Sequence, residues 1–177
     1  MLRASLLTSL LLISAGAALP APAAEQSSTF QASSSVIPSC RLTTFRDVAW
    51  TSYDPVGLGA TQKTRSQVNA GLNVRCTLKV VAKYGASQGL NPSAGSTCAA
   101  PLRNMKSASG ALLPYRLNYS TQDNGTSVLG CDPSVNMRTL DFSQVNELGL
   151  VAVGYIDPGV AASVGQYSDT VTAVIVF

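Results

Sequence analysis

Apolar and polar residues alternate along most of this chain, and no stretch sustains the 3.6-residue period of a helix. The clearest case is the segment 165–177, Gly-Gln-Tyr-Ser-Asp-Thr-Val-Thr-Ala-Val-Ile-Val-Phe. β-branched and aromatic residues dominate it, and no Gly or Pro interrupts it after Gly165. One face carries Tyr167, Asp169, Val171, Ala173, Ile175 and Phe177; the other carries Ser168, Thr170, Thr172, Val174 and Val176. The sequence stops inside this strand, so both of its edges need partners. If one neighbour is missing from the chain, the gap is a binding site.

The same alternation recurs upstream. Leu72, Val74 and Cys76 share a face, and residues 78–84 extend or restart that strand. Residues 48–50 and 102–105 are short strands. Leu113, Tyr115, Leu117 and Tyr119 share a face, and residues 148–155 alternate until Asp157-Pro158-Gly159 stops them. Turn chemistry lies between: Tyr53-Asp54-Pro55, the stretch 107–110, and Asn124-Gly125, a hairpin-grade pair. Residues 140–145 read as irregular. About seven short strands parted by turns predict an all-β sandwich.

Residues 24–39 are small and polar, yet they also alternate, with Phe30, Ala32, Ser34 and Val36 on one side. Two readings stay open for them: a Ser-rich disordered tail, or an arm that becomes a strand only when something accepts it. Fully extended, such an arm reaches roughly 50 Å. Residues 1–23 read as an export signal, with Arg3 before an apolar run over 6–19 and then Ala21-Pro22-Ala23 as the cleavage motif. The run is too short and too interrupted to anchor the chain in a bilayer.

Composition narrows the function classes. The chain has 177 residues, enough for one domain, and 46% hydrophobic against 12% charged residues argues against disorder. A net charge of +3 without a Lys/Arg run argues against nucleic acid as a partner. Histidine is absent, which removes Ser-His-Asp and Cys-His nucleophiles and the commonest metal ligand. The nine acidic residues are scattered, with no pair suited to glycoside hydrolysis. Gly57-Leu58-Gly59 lacks the rest of a phosphate loop. The expectation is a protein that is not an enzyme and takes no cofactor or metal.

Export places Cys40, Cys76, Cys98 and Cys131 in an oxidising compartment, and three pairings are possible. Cys40–Cys76 and Cys98–Cys131 are favoured: they close loops of similar length, each worth roughly 3–4 kcal/mol in the chain-entropy model. Asn118-Tyr119-Ser120 and Asn124-Gly125-Thr126 match the N-glycosylation acceptor, relevant only to a eukaryotic secretory route.

Several of these pieces, taken in order, resemble one family. Cys40, residues 50–55, Val74-Arg75-Cys76-Thr77, Arg103-x-Met105, Tyr115-x-Leu117 and the ending Gly165-Gln166-Tyr167-Ser168-Asp169-Thr170-Val171 are similar to the spore coat protein U domain. That domain is shared by subunits of archaic (Csu-type) chaperone–usher pili. The resemblance implies an incomplete immunoglobulin-like sandwich lacking its final strand, over residues 40–177. It implies an acceptor groove walled by Tyr167, Asp169, Val171, Ala173, Ile175 and Phe177. A periplasmic chaperone would fill it first, and the arm of another subunit, with Phe30, Ala32, Ser34 and Val36 as donor residues, would replace the chaperone as the fibre is assembled at an outer-membrane usher. The Phe177 carboxylate would be an anchor for basic chaperone residues. The implied product is a surface fibre, for adhesion or biofilm formation. The family's usual complement is one disulfide, matching Cys40–Cys76, which leaves Cys98 and Cys131 as extras. Arg103 and Met105 read as packing plus a surface or edge charge, and Tyr53-Asp54-Pro55 as a structural turn. The competing class is a solitary secreted carbohydrate-binding or adhesive module, but Trp50 is the single tryptophan and no aromatic cluster accompanies it.

Overall fold

The computed structural model describes residues 25–120 and 127–177. The reading of residues 1–23 as a signal, and both Asn124-Gly125 and the second glycosylation motif, lie outside the described residues. Two compact units are distinguished, Met1–Ser35 and Val36–Phe177. In the first, the described residues are exposed and adopt no regular secondary structure.

The second unit is nearly all β. Its elements are β1 (Cys40–Arg46), α1 (Leu58–Thr61), β2 (Thr64–Arg65), β3 (Ala70–Cys76), β4 (Val81–Ala86), β5 (Arg103–Ser107), β6 (Leu112–Asn118), β7 (Arg138–Asp141), β8 (Glu147–Ile156), β9 (Tyr167–Ser168) and β10 (Ala173–Val176). One antiparallel sheet runs β1-β3-β8-β6-β5-β9, with β2 also paired to β8; the other runs β10-β4-β7. Alternation becomes burial as the pattern requires. Leu72, Val74 and Cys76 of β3 and Leu113, Tyr115 and Leu117 of β6 point inward. They meet Ala82, Tyr84 and Ala86 of β4 and Leu140 of β7 in one core between the sheets. The fold is an immunoglobulin-like sandwich.

The 165–177 stretch departs from a single strand. Tyr167 and Ser168 pair with Ser107 and Lys106 of β5 in the larger sheet, whereas residues 173–176 pair with residues 83–86 of β4 in the smaller one. The chain therefore changes sheets between Ser168 and Ala173. Fixed side chains hold that crossing, as the next subsection describes. Other differences are local. Only Ala49 of residues 48–50 makes a bridge, to Val68. The loop at Gly57 carries one helical turn, and β7 begins before the stretch read as irregular and ends at Asp141. β4 starts at Val81 because Lys79, at φ 67, turns the chain after β3.

Both disulfides close on strands or loops already brought together. Cys40 and Cys76 are cross-strand partners of β1 and β3, with Cα atoms 4.1 Å apart. Cys98 and Cys131 staple the loop before β5 to the loop before β7, at 4.5 Å. Asn136 reinforces the second staple, its Nδ2 donating to the Cys98 and Ala99 carbonyls at 2.9 Å each.

Candidate functional site: an open groove between the sheets

A groove of about 780 Å³ opens into the core of the sandwich. Packed interiors hold few voids larger than a water molecule, so an opening of this size is an unfilled position. One flank is the end of β1 and the segment after it, from Thr44 to Pro55; the other is the segment from Ala162 to Val171 and then Ala173. The floor includes Leu72, Met105, Leu113, Tyr115, Leu117 and Ile156, all core residues. The bordering strands are sheet edges, because β1 and β9 are the two ends of the larger sheet and β10, which reaches the groove at Ala173, ends the smaller. An apolar floor beneath sheet edges suits one kind of occupant, an extended segment with alternate apolar side chains.

The first flank rests on a close approach. Trp50 lies against Gly154 of β8, where a Cβ would come within 2.2 Å of the indole. The indole also meets Tyr115 edge to face, with centroids 5.8 Å apart. Before the floor, Tyr53-Asp54-Pro55 is a structural turn. Asp54 Oδ1 accepts from the Val56 and Gly57 amides at 3.1 and 2.9 Å, and the Tyr53 hydroxyl donates to the Val160 carbonyl at 2.8 Å. That last bond ties the first flank to the chain two residues ahead of the second, beside the opening.

The second flank is positioned by Asp169. Its Oδ2 accepts from the Tyr115 hydroxyl at 2.7 Å, and its Oδ1 from the Leu90 amide at 2.9 Å. Gly89, at φ +78, makes the latter contact possible, since a Cβ there would sit 2.1 Å from the carboxylate. Thr172 then joins the smaller sheet through reciprocal bonds with Ser87, backbone to backbone and amide to hydroxyl, at 2.8 and 2.9 Å.

Beneath this crossing lies Arg103, 1% exposed. Its guanidinium spans the sandwich from β5, donating to the carbonyls of Ala86, Ser87 and Leu129 at 2.6–2.9 Å. The sequence reading of Arg103 as a surface or edge charge is therefore corrected: three carbonyls replace its water. The signal for burial is in the sequence, because period-two alternation puts Arg103 on the face of Met105. Burial lowers the pKa of Arg103, opposed by neighbouring Tyr115, Asp169 and Tyr84. Burial also raises Tyr115, helped by its bond to Asp169, and pushes Tyr84 up to about 12.

The site residues named from the sequence fall into three groups. Tyr167, Asp169, Val171 and Ala173 line the groove. Ile175 packs against the core beyond the groove lining, and Phe177 is exposed past it. Phe30, Ala32, Ser34 and Val36 are exposed and in no strand, Phe30 at 91%. Asn118 is fully buried in β6, so the folded domain has no room for a glycan at the first glycosylation motif. What sequence reasoning missed is the whole first flank, including Trp50 as a groove residue.

Comparison with known proteins gives three findings. The family model of the Spore Coat Protein U domain matches residues 26–174. Protein U of Myxococcus xanthus is 31% identical over 136 residues, covering 71% of this chain and 69% of its own. Among solved structures, a chain of a chaperone–tip adhesion subunit pre-assembly complex, from archaic chaperone–usher Csu pili of Acinetobacter baumannii, shares the fold. The TM-score is 0.52 at 21% identity, over 80% of this chain and 40% of that one. The present chain thus spans less than half the length of that solved relative.

Proposed function

The chain belongs to the Spore Coat Protein U domain family, and from that premise we propose that it is a structural subunit of a surface fibre assembled by strand exchange. One observation carries the reading: the core of the sandwich is open along a groove bordered by sheet-edge strands. An extended segment laid there gains main-chain hydrogen bonds and buries alternate apolar side chains. Residues 24–39 are the donor, with Phe30, Ala32, Ser34 and Val36 entering the groove of the next copy. Residues 1–23 direct export, and residues 40–177 form the acceptor domain.

Before assembly a periplasmic chaperone occupies the groove, because an apolar opening beside sheet edges is an aggregation hazard. An outer-membrane usher then exchanges chaperone for subunit. The fibre at the cell surface serves adhesion or biofilm formation, and no catalytic role is proposed. The likeness to a chain from a chaperone–subunit complex supports this reading through the fold.

The test is to export the chain to a periplasm with and without residues 24–39 and to run unboiled detergent gels. Heat-sensitive ladders from the full chain, and none from the shortened one, support strand exchange. Stable monomers from both mean that the sandwich needs no donor.

A further inference from the structure

The sandwich has two poles. At the first, Cys40 at the start of β1 faces Cys76 at the end of β3, and Arg75 faces Glu147 at the start of β8. About 30 Å away along β8, at the second, Ile156 faces Thr64 of β2. β1 ends beside the start of β3, so the groove flank from Thr44 to Pro55 lies toward the second pole.

Three segments meet at the first pole. Thr77 donates from its amide to the Ser39 carbonyl at 2.9 Å and from its hydroxyl to the Ile37 carbonyl at 3.2 Å. The Cys76 and Lys79 amides donate to the Asn146 and Phe142 carbonyls, each at 3.0 Å. Each segment leaves an apolar side chain exposed there: Ile37, Leu78 and Val145. Single exposed apolar residues are ordinary, but three on adjoining segments mark a contact surface. The exposed cations nearby, Arg41, Arg75 and Lys79, are offset by Asp141 and Glu147, so charge does not drive the contact.

We infer that this apolar pole docks on the second pole of the next copy, a body-to-body contact beside the exchanged strand. The inference rests on the strand-exchange reading above. Val36 is the last donor residue, and the next residue, Ile37, is already bonded to its own domain through Thr77. No free linker separates donor from domain. Where Val36 seats at the end of a neighbour's groove, Ile37, Leu78 and Val145 come to that end with it.

The ladders say which end. Every strand pair among the described residues is antiparallel. β10 runs from Ala173, opposite Ala86, to Val176, opposite Lys83, and so heads toward the first pole, where β4 begins. A donor antiparallel to β10 runs the other way and leaves its acceptor at the second pole. There Val56 and Leu58 are exposed on the loop that follows Pro55 of the groove flank. Contacts of this head-to-tail kind extend a filament. The patch is too small to hold two free domains together, and it becomes effective because the exchanged strand supplies a high local concentration.

The test places benzoylphenylalanine at position 78 of the full chain, exported to a periplasm and mixed during assembly with isotope-labelled copies. Irradiated ladders are mapped by mass spectrometry. Cross-links from position 78 of one copy to residues 54–60 of another are expected. A second variant joins Leu78→Asp to Val145→Asp. Its ladders should match wild type, because strand exchange is untouched, while its fibres in electron micrographs should lose their stiffness and bend between copies. Cross-links from position 78 that all fall on other surfaces, or double-variant fibres as straight as wild type, overturn the inference. If wild type makes no arm-dependent ladder, the strand-exchange reading fails first, and the inference falls with it.

Discussion

The hydroxyl of Tyr115 in β6 donates to Oδ2 of Asp169 at 2.7 Å, joining the groove floor to the segment that forms one of its flanks. The carboxylate also accepts from the Leu90 amide, so three separate parts of the chain meet at one side chain. Asp169 sits where the chain passes from the larger sheet to the smaller, and it keeps that passage at the groove rim.

Tyr115→Phe removes the hydroxyl and leaves the ring on Trp50. A hydrogen bond to a charged group is worth about 1.5–3 kcal/mol, and urea unfolding should show a loss in that range. Asp169→Ala should cost more than Tyr115→Phe, because it strips the partners of Leu90 and Tyr115 together. Equal losses contradict the shared role.

Alkaline pH should destabilise the fold through its buried phenols. The neutral phenol of Tyr84 is favoured in the folded state, where burial pushes its pKa up to about 12 from 10.0. Above pH 10 the unfolded chain loses that proton and the folded chain keeps it, so stability falls as pH rises. The loss grows from about pH 10 to about 12 and reaches roughly 3 kcal/mol for Tyr84. Tyr115, raised in the same direction, adds to it. Melting temperature against pH, with Tyr84→Phe as the control that blunts the fall, checks this.

Gly154→Ala should push Trp50 out of its seat, since the added carbon meets the indole at 2.2 Å. Overpacking of this kind costs about 1–3 kcal/mol. Trp50 is the single tryptophan, so its fluorescence should shift toward that of an exposed indole. An unchanged spectrum contradicts the placement of Trp50 on the first flank.

Much of the sandwich was legible from alternation alone. Leu72-Val74-Cys76 and Leu113-Tyr115-Leu117 are buried because a pleated strand sends every second residue to one side. Within 165–177, alternation put Tyr167, Asp169, Val171 and Ala173 on one face and the family resemblance made that face a groove wall, but neither gave the change of sheet between Ser168 and Ala173. That change depends on Tyr115, Ser87 and Leu90, which lie 54 to 85 residues away along the chain. Arg103 was misread for a related reason. Its charge suggested solvent, whereas the carbonyls that receive it belong to β4 and the loop at Leu129. The Trp50 flank has no periodic signal, since it leaves the ladder after β1.

The two disulfides should differ in what their loss does. Replacing Cys98 and Cys131 by Ala frees the loop before β5 but leaves β1, β3 and the groove floor intact. Replacing Cys40 and Cys76 releases the start of β1, the edge strand beside the groove. Either change costs roughly 3–4 kcal/mol in the chain-entropy model. Only the second should also lower the yield of heat-sensitive ladders at equal folded protein, a comparison read from gels normalised by circular dichroism.

The most direct test of strand exchange places a photo-reactive benzoylphenylalanine at position 30, the most exposed large apolar residue among the donor set. Copies carrying it are mixed with isotope-labelled copies, allowed to assemble, irradiated and mapped by mass spectrometry. Cross-links from position 30 of one copy to groove residues of the other, such as Trp50, Met105 or Val171, are the expected result. Assembled fibres whose cross-links from position 30 all fall outside the groove would contradict strand exchange through this arm.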